Sequence, residues 1–410
     1  EFNGKLKDMN NKFSMDSFWE IEAMTHVKQT KASPLDFALS YSTSAIVKEL
    51  LAAKADPLLV LHQVPDATNS KVTKNYTIID GAFSYIASCI RDKISPAWPF
   101  FHKTYLIWKE VAKLPKAKQP IMPYADNIYS YFIAGDAASV KKSLAAISGD
   151  TVQYIPFALL TDQWDLVQLL YQLNSIAIND PIKLGSYKEQ SLLAWTITSG
   201  YPEPAALLIA KGAVLPEYIF YKTGDQYPVV SEAAYVGDLA LVKLLVEKGA
   251  SVADSTTLFD CHTKPEIRKY LIDAGMDPMK KFTYLENTLY TVLTDAALFG
   301  HQEAVAYYLS IKVPVNTTDP AEVPPFFAAV ASANPQIVKL MIDAGANINQ
   351  LVDCYGFDDF FFVYLDGSFT PLALAYYLRD NTEDAYKKAQ YGKIIKMLEN
   401  LKAENKSILQ

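Results

Sequence analysis

Histidine and cysteine carry much of the nucleophilic and metal-binding chemistry open to a protein, so their places come first. The five histidines are His26, His62, His102, His262 and His301, and no two of them stand at ligand spacing. The three cysteines, Cys89, Cys261 and Cys354, are widely separated, odd in number and lack a Cys-x-x-Cys pair. They make neither a disulfide framework nor a structural zinc site, and read as separate thiols in a reducing compartment. Asp260-Cys261-His262 is the one stretch where a thiol and an imidazole are neighbours. Adjacent residues on a helix point about 100° apart, so this pair does not face itself and no catalytic thiolate is expected. There is no Gly-rich phosphate loop, no Gly-x-Ser-x-Gly and no His-Glu-x-x-His. Carboxylates are spread along the chain without a facing pair. The sequence therefore offers no catalytic set, cofactor motif or metal site, and a non-enzymatic role is expected. Asn75-Tyr76-Thr77, Asn316-Thr317-Thr318 and Asn405-Lys406-Ser407 match glycosylation acceptors, which matter only on a eukaryotic secretory route.

Charge and hydropathy narrow the partners. Acidic residues outnumber basic ones, 45 to 38, for a net charge of −7. With no run of Lys or Arg, the chain lacks the basic face that nucleic acid needs. Apolar stretches such as 357–365 carry acidic residues and fall well short of the ~20 residues of a membrane span. Only Arg91, Arg268 and Arg379 are arginines among the basic residues, a bias that points to an AT-rich, bacterial genome. A cytoplasmic setting, in the producing cell or in a host after secretion, is favoured, with the periplasm as the alternative. The chain opens on Glu1-Phe2 with no Met, so a removed leader stays open.

What would position any site is an internal repeat. Gly237-Asp238 leads through Leu241, Val242, Leu244 and Leu245 to Lys248-Gly249-Ala250. The same pattern runs from Gly300-His301 to Lys312, from Ala333-Asn334 to Gly345, from Gly200-Tyr201 to Gly212 and from Thr263-Lys264 to Gly275. Looser copies begin at Ser42, Gly135 and Asp162. From 135 through 162, 200, 237, 263, 300 and 333 the spacings are 27, 38, 37, 26, 37 and 33, with a mean of 33. The helical part keeps its length while the connectors vary, as a stacked helical repeat with loop insertions requires. A shorter helix precedes each turn, opening at Ser33-Pro34, Ser231, Thr294, Pro325 and Thr370-Pro371. Ser or Thr caps its first amides, Pro fits the first position, and Gly closes the longer helix in a left-handed turn.

These residues resemble the ankyrin repeat: Thr/Ser-Pro-Leu-x-x-Ala, then Gly-His/Asp-x-x-x-Val-Lys-Leu-Leu, then Gly-Ala-x-x-Asn. About nine copies lie in register from Ser33 to about Leu401, best at Ser231–Val252 and Pro325–Asn349. Asp36 and Ala373 stand where the pattern has His, while His301 sits at a turn position where it favours His. The resemblance implies an all-α ankyrin-repeat solenoid of 9–11 helix-turn-helix repeats, with hairpin-like fingers and capping helices at both ends. Residues 1–410 then form one array: an N-terminal cap at 1–31, diverged repeats at 33–123, regular repeats at 124–350, a finger at 351–369, and the last repeat and cap at 370–410. The repeat at 77–123 is enlarged, with helices near Ile78–Ile90 and Trp98–Leu114, and its Lys103–Lys118 stretch reads as a solvated helix face. Asp16–Lys28 reads as the first cap, and Glu383–Lys402 as the last, with Ile394, Ile395, Leu398 and Leu401 inward.

The resemblance also implies a protein-binding scaffold or adaptor, with a bacterial effector as one form and an inhibitor or immunity protein as the alternative. Its surface would be the inner helices and the connectors, where insertions cost little stability. Two connectors are rich in the aromatic residues found at binding hot spots. Pro216–Val229 carries Tyr218, Phe220, Tyr221 and Tyr227; Leu351–Phe369 carries Tyr355, Phe357, Asp358, Asp359, Phe360, Phe362 and Tyr364. Acidic neighbours would select a basic protein. The structural alternative for the second is a short strand that packs Phe361, Val363 and Leu365 against the body. A protein partner and a monomeric chain are the expectation; no nucleic acid and no membrane span are.

Overall fold

The computed structural model describes residues 33–408, apart from 43, 66–72, 93–96, 117–118, 120–126, 148–149, 185–188, 222, 285–287, 355–364 and 366. The described chain is mostly helical with small antiparallel sheets between helix pairs. It divides into two compact units. Unit 1 holds the described residues through Val214 and Phe220–Asp225; unit 2 holds Leu215–Ile219 and those from Gln226 onward. The N-terminal cap at 1–31 lies outside the described residues.

Unit 1 opens with α1 (Pro34–Tyr41), where the Ser33 hydroxyl accepts the Asp36 amide at 3.2 Å and Pro34 takes the first helical position. Then come α2 (Ser44–Ala52), the antiparallel strands β1 (Val60–Pro65) and β2 (Thr73–Thr77), α3 (Ile78–Arg91) and α4 (Trp98–Val111). Three helix-turn-helix pairs follow: α5 (Ile128–Ala134) with α6 (Ala137–Ala145), α7 (Ile155–Leu160) with α8 (Trp164–Asn174), and α9 (Leu192–Thr198) with α10 (Pro202–Ala210). Helix α4 departs from a repeat. Phe101, His102, Lys103 and Thr104 are all buried. Four consecutive residues sweep most of the circumference of a helix, so this stretch of α4 is enclosed, while Pro99 and Lys109 stay exposed. It packs on α1, α2, α3, α5 and α7. Phe101 meets Phe157 at 4.7 Å, Trp98 meets Trp195 at 5.0 Å, and the Asp162 carboxylate accepts from Tyr105 and Lys109. One helix thus touches three successive pairs. The solvated face expected at Lys103 is a correction: its ammonium is buried and donates to the Ala38 and Ser42 carbonyls. Those oxygens lie at the C-terminal end of α1, the negative end of its dipole.

Unit 2 stacks nearest neighbour on nearest neighbour. Its pairs are α11 (Val229–Val236) with α12 (Leu239–Glu247), a 3-10 helix (Ser255–Cys261) with α13 (Pro265–Asp273), α14 (Val292–Leu298) with α15 (Gln302–Ser310), α16 (Pro325–Ala331) with α17 (Pro335–Asp343), and α18 (Pro371–Asp380) with α19 (Ala385–Asn400). Each first member packs on the next first member, from α11 through the 3-10 helix, α14 and α16 to α18. Buried alanines at 233–234, 296–297 and 328–329 let these short helices approach closely. Two expected caps are corrected. Ser231 lies inside α11, where its hydroxyl meets that of Thr257 in the next pair; Thr291, not Thr294, caps α14. At the chain's end Ile394, Ile395 and Leu398 are buried as expected, but Leu401 is exposed.

The expected first turns recur as left-handed backbone at Gly135, Asp162, Gly200, Gly237, Gly300 and Ala333. Asp162 (φ 59°) and Ala333 (φ 55°) hold it without glycine, at a cost of about 1–2 kcal/mol each. Thr263 does not adopt it, because the 3-10 helix replaces the short α-helix before that turn.

Candidate partner-binding surface

The connector after α10 forms β3 (Tyr218–Phe220) and β4 (Gln226–Pro228), which pair as a two-stranded sheet. Alternation along a strand sends neighbours to opposite faces. Ile219 is buried, while Tyr218, Phe220 and Tyr227 are 37 %, 48 % and 47 % exposed. Tyr221 is half-buried. Its amide donates to the Asp225 carbonyl at 2.9 Å, and the Thr223 hydroxyl donates to the Asp225 carboxylate at 2.6 Å. The tip turns through Gly224, whose φ of +96° suits glycine alone.

The second finger's candidates, Tyr355, Phe357, Asp358, Asp359, Phe360, Phe362 and Tyr364, lie outside the described residues. Its base is described. Strands β5 (Val352–Asp353) and β6 (Ser368–Phe369) pair, and a third, β7 (Ser407–Ile408), flanks β6. The Cys354 amide donates to the Gly367 carbonyl at 3.0 Å. Val352, Cys354, Leu365 and Phe369 are buried, so the finger springs from an apolar root.

The residues with chemical potential fall into two buried clusters, one in each unit. In unit 2, the Cys261 thiol donates to the Thr257 carbonyl, and burial pushes its pKa up to about 12. It is a neutral thiol and no nucleophile at neutral pH. His262 turns away from it: Nε2 lies 2.9 Å from the Asp295 carboxylate and Nδ1 lies 3.4 Å from the Tyr308 hydroxyl. Burial raises the Tyr308 phenol above its ordinary range. The buried Arg268 donates to the Cys261 and His262 carbonyls and lies against the Tyr307 and Tyr308 rings. His301 lies beside His262, its ring tilted by 36° and the centroids 5.2 Å apart. These bonds tie the 3-10 helix to the next pair. The Cys261–His262 adjacency pointed at the neighbourhood; Asp295 and Tyr308, one repeat further on, carried no sequence signal of their own.

In unit 1, His102 Nδ1 lies 3.0 Å from the Ser44 hydroxyl, and its ring meets the Tyr201 ring edge-on. Burial drives the imidazole pKa down to about 3, and that of the Lys103 ammonium down to about 8. Among the described residues no group of three His, Cys, Asp or Glu side chains is placed to hold a metal. No described helix is long and apolar enough to cross a membrane.

No family model matches the chain. No curated protein matches it either. Among solved structures it is similar to the human ASB11 ankyrin repeat domain, with 17 % identity over 54 % of this chain and 85 % of that one, at a TM-score of 0.34.

Proposed function

We propose that the chain is a protein-binding scaffold: a diverged ankyrin-repeat array, running from Ser33 to about Leu401, that holds a protein partner with its inter-repeat fingers. The observation that carries this reading is the outward placement of Tyr218, Phe220 and Tyr227 beside the buried Ile219. Large aromatics left a third to a half exposed on a short paired hairpin offer apolar surface that a partner can cover. They are also the side chains that most often dominate binding energy. Exposed Glu217 and Asp225 flank them and favour a basic partner. In this reading Tyr355, Phe357, Asp358, Asp359, Phe360, Phe362 and Tyr364 are further partner contacts contributed by the second finger.

The test is a chain with Tyr218, Phe220 and Tyr227 all changed to Ala, compared with the intact chain. Both must show the same circular dichroism and melting. Each is used to capture proteins from lysates of the source organism and of human cells, and the captured protein is then purified and titrated. Loss of at least about 1.4 kcal/mol, a tenfold weaker dissociation constant, supports the reading. Equal affinity for both chains overturns it. An enzyme captured and silenced would make the chain an inhibitor.

A further inference from the structure

His102 is a buried histidine with no carboxylate of its own. It projects from α4 into the junction with α2 and the start of α10, and is only 4 % exposed. Among the described residues its hydrogen-bond partner is the Ser44 hydroxyl, and its ring lies 5.0 Å from that of Tyr201. Four charged groups act on it: Lys48 from α2, Glu203 from α10, Asp162 from the turn before α8, and Lys109 from α4 itself. Both carboxylates are already occupied. Glu203 holds Lys48, and Asp162 holds Lys109 and the Tyr105 hydroxyl. On the next face of α4, Lys103 is bound to the end of α1, the helix that carries Asp36. An imidazolium at this place would be a third cation among two paired lysines, stripped of water, with the Ser44 hydroxyl as its hydrogen-bonding partner among the described residues.

We propose that His102 is an acid-operated latch: taking up a proton releases α4 from Ser44 on α2 and from Tyr201 at the head of α10, opening that face of unit 1. The sign follows from linkage. A buried imidazole whose pKa is held far below the usual value near 6.5 binds fewer protons closed than open. The closed form is therefore fully favoured above about pH 6.5 and loses ground as pH falls towards about 3. One such site raises the opening constant up to about tenfold for each pH unit in that window. Asp36 works the other way. Burial raises its carboxyl to about 6, so a release that rehydrates α1 would be opposed by Asp36 between about pH 6 and 4.

The measurement is hydrogen exchange followed by mass spectrometry on the full chain, corrected for intrinsic rates, from about pH 6.5 to about pH 4.5. His102→Gln keeps a hydrogen bond to Ser44 but cannot be charged. In peptides covering Trp98–Val111 and Pro202–Ala210, the ratio of opening in the native chain to that in His102→Gln should rise up to about fiftyfold. Peptides from Pro325–Asp343 should give a constant ratio. A ratio that stays constant in both places overturns the latch. His102→Gln could fail to fold, so the native chain is also titrated by NMR at the His102 ring. An imidazole that stays neutral in the closed protein down to about pH 4.5 supports the latch, and one that titrates near 6.5 while the helices stay protected overturns it.

Discussion

The two units spend similar materials in different ways. In unit 2 each helix pair packs on the pair before and the pair after, and its buried polar groups meet across one such step: Ser231 with Thr257, His262 with Asp295. In unit 1 one helix, α4, reaches Phe157 and Asp162 in one pair and Trp195 in the next, and its polar groups span tens of residues to do so. Neighbour stacking makes stability a sum of local terms, whereas a helix shared by many elements makes it a single cooperative quantity. The buried histidines show the same contrast. His262 has a carboxylate at 2.9 Å, while His102 has a hydroxyl at 3.0 Å.

The largest effect should come from cutting the shared helix loose. Phe101→Ala and Phe327→Ala each remove a fully buried ring, at a cost of about 3–5 kcal/mol. The loss at Phe101 should raise hydrogen exchange from α1 through α7, while that at Phe327 should stay within α14, α16 and α18. Equal spreading from both sites would erase the distinction between the units.

Much of this was readable from spacing. The turn positions 135, 162, 200, 237, 300 and 333 all fall on left-handed backbone, because a constant-length helix needs a chain reversal at a constant place. The 3-10 helix at Ser255–Cys261 and the caps at Thr291 and Pro228 escaped, since each is chosen by the neighbour it meets and not by its own segment. Lys103 and His102 escaped for the opposite reason. A polar residue on a lysine-rich helix reads as solvated, and only the elements that close over α4 reverse that. Of the candidate site, the aromatic content of Tyr218, Phe220 and Tyr227 was plain, and the burial of Ile219 between them follows from strand alternation.

A smaller effect sharpens the picture of local terms. The Asn334 side chain accepts from the Gln336 and Ile337 amides at the start of α17. Asn334→Ala should cost about 1 kcal/mol in a urea melt, with the slope unchanged. The smallest effect separates the units by sign. Ala333→Gly relieves a left-handed residue at the loss of only one buried methyl and should stabilise by up to about 0.5–1 kcal/mol. Asp162→Gly relieves the same backbone but gives up the bonds from Tyr105 and Lys109, so the gain should vanish or reverse. A matching gain at both positions would mean that α4 draws nothing from Asp162.

Helix α4 also sets how the molecule bears load. A stack held only by neighbours is a chain of equal links, and pulled from its end it pays out one link at a time. At about 33 residues a link and ~3.4 Å per residue, each yielding step lengthens the tether by roughly 110 Å. A helix laid across several links acts as a splint: nothing beneath it yields until it does, and then all of it yields together. Unit 2 is thus built to stretch by degrees and unit 1 to resist and then give way at once.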